Sequence, residues 1–480
     1  MKYFLSLFTL KLPIYYVYML QQVEYDPIKF WAWRTDLIRQ SKSVKSVMHR
    51  KVIVYTSRAK ILLLFTYITS LVSLGLTLIF IAGGMPFGYI LLAFALWVVF
   101  TAVFLDIFLF WLTALAYLII VRPEKNRLLK EATEIFAKHK AIKIAVLGSY
   151  GKTTCKEILN TVLSESKKVA TTPGNMNVSV SHARFARKLT GDENIIIVEF
   201  GEGEPGDIGR MASMLKPDYA IITGLAPNHL DHYADLSAVA ADLLDIYKFV
   251  DSKNVFVSGE SKMLKKYLAK DAQLFTVDKT LDWQTKDINI SVSETSFSLV
   301  TSSKTIRVKS SLLGRHQVAP LSCVAVLAFM LGVSIKDIEA GLSKTKPYDH
   351  RMQPRLVQGA WLIDDTYNGN LEGLQAGLKL LSAIPAKRRW YVTPGLVDQG
   401  SETETVHKEL GKLIAQAKPD IVVLMENSAR ASIQKAMEEN GFKGELRVEN
   451  NPLDFYTNIE HLVAVGDVVL MQNDWTDNYS

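Results

Sequence analysis

The chain has 480 residues, 49% of them hydrophobic and 10% aromatic, with a formal net charge of +7. This length allows two or three domains with full cores, and the ordinary composition excludes a disordered or collagen-like chain. Two cysteines, Cys155 and Cys323, lie far apart in the sequence, which fits a reducing compartment and excludes a disulfide framework or a cysteine-based zinc site.

A positive balance raises nucleic acid as a partner, but its placement argues for no nucleic acid. Residues 22–60 hold nine Lys and Arg against Glu24, Asp26 and Asp36, directly before a long apolar segment. They read as a basic loop flanking a membrane. Tyr3–Leu20 is a weaker apolar stretch, interrupted by Lys11 and Pro13: a third crossing, an interfacial helix or an uncleaved anchor. Ile61–Ala82 carries no charge and is long enough to cross a bilayer. After a short turn at residues 83–87, Gly88–Val121 is apolar except for Asp106, which is expected at the interface or against a partner. Arg122, Lys125, Arg127 and Lys130 follow, so both flanks of the hairpin are basic and are expected in the cytoplasm. The expectation is a multi-pass protein of the cytoplasmic membrane, with the domains that follow in the cytoplasm and membrane lipid as a partner.

From about Arg127 the texture is α/β. Apolar runs of strand length, at Ile142–Leu147, Ile195–Phe200, Tyr219–Thr223 and Asn254–Ser258, alternate with amphipathic stretches. This predicts a mostly parallel sheet with helices on both faces. Residues 272–312 alternate and are rich in Thr, Ser and Val, as in antiparallel hairpins. A second α/β cycle starts near 355, with strands at Trp361–Asp365, Arg389–Thr393, Ile421–Leu424 and Val468–Gln472. The domains are therefore set at 1–125 (membrane region), 126–348 (nucleotide-binding) and 349–480 (a Rossmann-like C-terminal domain).

The run Gly148-Ser149-Tyr150-Gly151-Lys152-Thr153-Thr154 joins the first of these strands to a helix. Glycines let backbone N–H groups close around phosphate oxygens, and a helix N-terminus favours an anion. Lys152 is placed to reach the terminal phosphates and Thr153 to ligate Mg²⁺. The full phosphate-loop motif has Gly where Val146 stands, so the match is to a shortened form. An ordinary strand–helix turn does not explain a Lys directly after Gly151. Glu199, at the end of an apolar strand, suits a ligand group or a solvated carboxylate. His229 suits a metal or a structural bond to a loop carbonyl.

In order and spacing, further elements resemble the Mur ligases, ATP-dependent amide-forming enzymes of cell-wall synthesis. They are Thr172-Pro173-Gly174-Asn175-Met176-Asn177, Val198-Glu199-Phe200-Gly201, Pro227-Asn228-His229-Leu230-Asp231-His232-Tyr233, Leu313-Gly314-Arg315-His316, Arg351, the run Asp364 to Asn370, and His407. The likeness covers about 140–475 and is closest to the type that adds D-alanyl-D-alanine to a UDP-muramoyl-tripeptide. It implies a phosphate-loop ATPase domain followed by a Rossmann-like domain, ATP and Mg²⁺ as cofactors, and reaction through an acyl phosphate. It further implies a muramoyl-peptide or related carboxylate substrate and an amino-acid or dipeptide amine. Catalysis falls to Lys152, Glu199, His229 and Arg351. Nucleotide contacts fall to Gly148, Ser149, Gly151, Lys152, Thr153, Thr154, His316, Arg351, Asp365 and Asn368. The substrate falls to Thr172, Asn175, Asn177, Asn370 and His407, and the metal to Thr153, Glu199 and His229. The four asparagines also suit plain turn chemistry.

The sequence departs from that pattern in three places. The family's carbamylated Lys is replaced by Leu243, with Asp242 or Asp245 as candidate carboxylates and Lys248 badly phased. An Asn on the adenine side is replaced by Pro320. Membrane helices are expected where the family has a UDP-binding domain. The rival readings are therefore a ligase acting on a lipid-linked or polymeric acceptor, and a non-catalytic nucleotide-binding scaffold for membrane-bound cell-wall-synthesis proteins.

Overall fold

The computed structural model describes the chain except at residues 1, 2, 4, 5, 8, 10, 24, 43, 45–52, 84, 85, 175, 227–232, 368, 397–402 and 474–480. The chain divides into two compact units, Met1–Arg127 and Leu128–Ser480.

The first unit is helical: α1 (Leu12–Gln22), α2 (Pro27–Arg39), α3 (Ser57–Ala82) and α4 (Phe87–Ala116). A π-helical stretch at Tyr117–Val121 then leads into α5 (Arg122–Lys138). Pro13 and Pro27 stand in first turns, where a missing N–H costs nothing, and Asp26 caps α2 through the N–H groups of Ile28 and Lys29. Both apolar segments of the expected hairpin are therefore helices, but the multi-pass membrane reading is corrected. Among the described residues a single helix, Phe104–Lys138, is long and apolar enough to cross a membrane. The stretch before the hairpin is not a flanking loop. It contains α2, whose Phe30 and Leu37 are buried in one core with Tyr16 and Val17 of α1, Leu62 and Leu63 of α3, and Leu105 and Leu109 of α4. Asp106 is 1% exposed and forms an ion pair with Arg34 of α2, so the one acidic residue of the apolar run is neutralised inside this unit.

In the second unit, ten strands form one sheet. They are β1 (Ile142–Leu147), β2 (Val169–Thr171), β3 (Ile195–Glu199), β4 (Tyr219–Ile222), β5 (Val255–Ser258), β6 (Gln273–Phe275), β7 (Lys279–Thr280), β8 (Trp283–Ile290), β9 (Thr295–Val300) and β10 (Thr305–Ser310). The order is β10-β9-β8-β7-β6-β5-β4-β1-β3-β2. The half from β2 to β6 is parallel, and β6 to β10 are antiparallel. This agrees with the expected change of texture at residues 272–312.

Strand β1 is central, paired with β3 on one side and β4 on the other, and apolar along nearly its whole length because both faces are covered. On one face lies α6 (Lys152–Leu163), packed through Cys155, Ile158, Leu159 and Val162 against α10 (Val318–Met330) and α11 (Ile335–Ser343). On the other lie α7 (Ser179–Ala186), α8 (Asp207–Leu215), α9 (Leu236–Leu244) and Leu128, Ala132 and Phe136 of α5. Both cysteines are buried and free.

A second sheet of six strands has the order β11-β12-β16-β13-β14-β15. The strands are β11 (Gln353–Val357), β12 (Ala360–Asp365), β13 (Arg388–Thr393), β14 (Ile421–Met425), β15 (Glu445–Glu449) and β16 (Asp467–Gln472). Only β11 runs antiparallel, at the edge beside β12. Among its helices are α12 (Leu371–Ala383) and α13 (Thr403–Ala417).

The orientation of α6 depends on Gly341 in α11, where an added Cβ would lie 2.7 Å from the Val162 Cα, a backbone atom that cannot yield. Gly341→Ala is expected to cost about 1–3 kcal/mol by overpacking. A lowered midpoint in urea unfolding checks this.

Candidate active site

The turn after β1 is held in shape by the end of β4. The Thr223 hydroxyl donates to the carbonyls of Leu147 and Tyr150, and the Ser149 N–H donates to the Gly224 carbonyl at 2.9 Å. Gly148 has φ 131°, and a Cβ there would lie 2.5 Å from Thr223 Oγ1, so only glycine fits. Gly151, at φ 74°, is the left-handed residue from which α6 starts. Lys152 and Thr153 are therefore the first helical residues, at the positive end of the helix dipole, with Thr153 buried and Thr154 half-buried.

Two buried carboxylates face this first turn. Glu199 ends β3 and is 1% exposed. Its Oε1 accepts a long bond from Asn177 Nδ2 (3.4 Å), while Oε2 makes no hydrogen bond and faces Lys156 Nζ at 3.5 Å. Its backbone is fixed as well: the N–H donates to Thr172 Oγ1, and the carbonyl accepts from His182 Nε2 at 2.8 Å. Burial pushes His182 down to about 4, so this ring is neutral near pH 7. Lys156, fully buried, also donates to the carbonyls of Thr172 and Gly174, which ties the loop at 172–177 to α6. The second carboxylate is Glu202. Its Oε2 lies 2.9 Å from Lys152 Nζ, and its Oε1 makes no hydrogen bond. Sequence reasoning missed Lys156, His182 and Glu202, because each acquires its partner only through the fold.

The expected replacement for the absent Lys is not supported by the geometry of Asp242 and Asp245. Asp242 accepts from the Gly206 N–H (2.9 Å) and the Tyr233 hydroxyl (2.8 Å), so it braces the loop before α8. Asp245 pairs with Lys248 at 2.8 Å. Leu243 is fully buried in the apolar layer. His229, Asn175 and Asn368, predicted at the site, lie outside the described residues. Among the described residues no three His, Cys, Asp or Glu side chains cluster as a metal site. The donors at hand are two carboxylates, each with an unsatisfied buried oxygen, and the Thr153 hydroxyl. Such an all-oxygen set fits Mg²⁺, which takes one or two carboxylates and completes its shell with phosphates and water.

On the second sheet, Asp365 ends β12 and accepts from the Met352 N–H (3.1 Å) and Gln472 Nε2 (2.7 Å). Burial raises its carboxyl to about 7, against the lowering effect of these bonds and of Arg351. The Arg351 guanidinium lies over the rings of Tyr367 (4.5 Å) and Tyr348 (5.7 Å), and its buried Nε makes no hydrogen bond. Asn473, also missed from sequence, accepts from the Gly369 N–H and donates to the Gly395 carbonyl, joining the two loops beside Asp365.

Two expected substrate residues have structural work here. Asn370 caps α12 through the Gly373 N–H. His407 is fully buried, its Nδ1 donating to the Thr403 carbonyl and its Nε2 accepting from the Leu396 N–H, so neither nitrogen is left for a ligand. His316 is half-buried in a turn after Gly314, with its ring 3.0 Å from Gln317 Nε2. Pro320 falls in the first turn of α10, where no backbone donor is needed.

A strand–turn–helix phosphate cradle beside two buried carboxylates, with a second α/β sheet following, is the architecture of a two-sheet nucleotide-binding protein. Residues 146–328 match the Mur ligase middle domain and residues 350–472 the Mur ligase glutamate ligase domain. The chain belongs to the Mur ligase family.

Among its relatives is the UDP-N-acetylmuramoyl-tripeptide--D-alanyl-D-alanine ligase of Escherichia coli, 25% identical over 302 residues, 60% of this chain and 65% of that one. The chain thus spans less than two thirds of that relative. The fold is also that of MurF from Acinetobacter baumannii (TM-score 0.64, 20% identity, 73% of this chain and 77% of that one). The MurF ligase of Thermotoga maritima, solved in complex with ADP, is similar as well (TM-score 0.61, 23% identity, 73% and 80%).

The raised Asp365 carboxyl has a consequence for stability. The folded chain binds this proton more tightly than the unfolded chain, so the group makes stability fall as pH rises from the ordinary carboxylate value near 3.8 to about 7. Asp365→Asn is expected to flatten that part of the profile, read from urea unfolding at a series of pH values.

Proposed function

We propose that this chain is an ADP-forming ligase of peptidoglycan precursor synthesis, joining D-alanyl-D-alanine or a related amine to the carboxylate of a muramoyl-peptide. The observation that carries this reading is the Gly148–Thr154 cradle with Lys152 set against buried carboxylates at the end of β3. Its support is the family membership, the named activity of the relatives, and the ADP held by a protein of the same fold.

A carboxylate is a poor electrophile for an amine. In the proposed reaction its oxygen attacks the γ-phosphorus of ATP, the bond to the β-phosphate oxygen breaks, and ADP leaves. The amine nitrogen then attacks the acyl carbon, the C–O bond breaks, phosphate departs, and the amine gives up a proton as the amide forms. The chain's part is positioning and charge neutralisation. Lys152 and the backbone of residues 148–153 hold the phosphates. Arg351, with an unbonded Nε, is available to an anionic oxygen, and Asp365 to the nucleotide's hydroxyls. Asn177 and Lys156 fix the loop at 172–177 beside Glu199, where the carboxylate substrate is expected. Glu199 and the Thr153 hydroxyl would hold Mg²⁺, which would supply charge neutralisation at the phosphates.

Phosphate release is to be measured with UDP-muramoyl-tripeptide and D-alanyl-D-alanine, and with lipid-linked and polymeric acceptors in parallel. The expected result is ADP and phosphate formation that requires both the tripeptide and the dipeptide. Turnover confined to other acceptors, or none with any, contradicts the reading. Lys152→Ala is expected to lower ADP formation by about 10²–10³-fold, the range for losing one preorganised donor at developing charge. Its far-ultraviolet circular dichroism should be unchanged.

A further inference from the structure

We propose that Glu202 is a second carboxylate of the magnesium–nucleotide site, held by Lys152 while the nucleotide is absent and passed to Mg²⁺ when it binds. This rests on the nucleotide-site reading above and concerns a residue outside the motifs that identify the family.

The geometry couples two lysines to two glutamates. Lys152 and Lys156 are one turn apart on α6 and share a face. Lys152 Nζ pairs with Glu202 Oε2 at 2.9 Å, and Lys156 Nζ faces Glu199 Oε2 at 3.5 Å. Glu199 and Glu202, three residues apart, therefore stand beside the same first turn that carries Thr153. Both are almost wholly excluded from water, with side chains 1% and 2% exposed, and each keeps one oxygen without a hydrogen bond, Glu199 Oε2 and Glu202 Oε1.

Charge balance decides what happens next. Lys152 is the lysine of the phosphate cradle, and a bound triphosphate draws it toward the phosphates. Glu202 then keeps a buried negative charge without its cation, a state that is strongly destabilising unless another cation arrives. The triphosphate arrives with one. Among the described residues, three other acidic side chains nearby are committed elsewhere. Asp242 binds Gly206 and Tyr233, Asp245 binds Lys248, and Asp207 binds the N–H groups of Gly203 and Glu204 and pairs with Arg210. Glu202 has both an open oxygen and a partner that the nucleotide removes.

The test is calorimetric binding of a non-hydrolysable ATP analogue to the full chain, with Mg²⁺ and with EDTA, for the wild type, Glu202→Gln and Glu202→Asp. The wild type is expected to bind much more tightly with Mg²⁺. In Glu202→Gln that gain should shrink by at least about tenfold, the scale of one lost charge-assisted contact. In EDTA the same variant should bind more tightly than the wild type, because Lys152 is already released. Glu202→Asp, which keeps the charge, should recover most of the magnesium gain. A purely structural role weakens binding equally in both conditions. That result, or an unchanged magnesium gain in Glu202→Gln, overturns the proposal. Failure of the wild type to bind the analogue in either condition instead overturns the nucleotide-site reading, and this proposal falls with it.

Discussion

Glu199 and Glu202 are carboxylates with side chains almost wholly out of water. Taking a carboxylate out of water carries a penalty of several kcal/mol unless cations and hydrogen bonds offset it. Here the offset comes from one helix, α6, which turns Lys152 toward Glu202 and Lys156 toward Glu199. The rest of the site follows from keeping that helix in place. Gly148 and Gly151 allow the tight exit from β1, Thr223 and Gly224 brace the turn, and α10 and α11 pack the apolar side of α6. Lys156 carries the constraint further, because its bonds to Thr172 and Gly174 hold the loop that presents Asn177 to Glu199.

How much of this was readable from sequence depends on whether the signal is local. The strand, turn and helix from Ile142 to Leu163 were legible because glycine placement, an apolar run and the Gly-Lys-Thr sequence lie within a short stretch. The parallel half of the first sheet, its antiparallel extension and the second α/β cycle were legible from periodicity. Pairings across the fold were not. Nothing near Glu202 announces a lysine fifty positions earlier, and Asp242, by sequence a candidate carboxylate for the missing Lys, is occupied by Tyr233 and Gly206. His407 was found through a motif, yet its two ring nitrogens are bonded to backbone groups, which spacing alone does not reveal.

The N-terminal unit gives the same lesson from the other side. Length and hydropathy agree with the helices at α3 and α4, whose Leu62, Leu63, Leu105 and Leu109 enter the unit's core while Ile61, Leu64, Leu71, Leu91 and Leu92 stay exposed. Among the described residues only Phe104–Lys138 meets the length and hydropathy needed to cross. The basic residues before the hairpin partly belong to α2, and Arg34 there neutralises Asp106. Charge that read as a flank is in part an internal ion pair.

The proposed reaction activates a carboxylate by phosphoryl transfer before an amine attacks it. The most direct measurement is the fate of ¹⁸O placed in the acceptor carboxylate of UDP-muramoyl-tripeptide during turnover with ATP and D-alanyl-D-alanine. Passage through an acyl phosphate predicts one ¹⁸O atom in each phosphate released, alongside one ADP and one new amide bond. Phosphate free of ¹⁸O, or release of AMP and pyrophosphate, contradicts it.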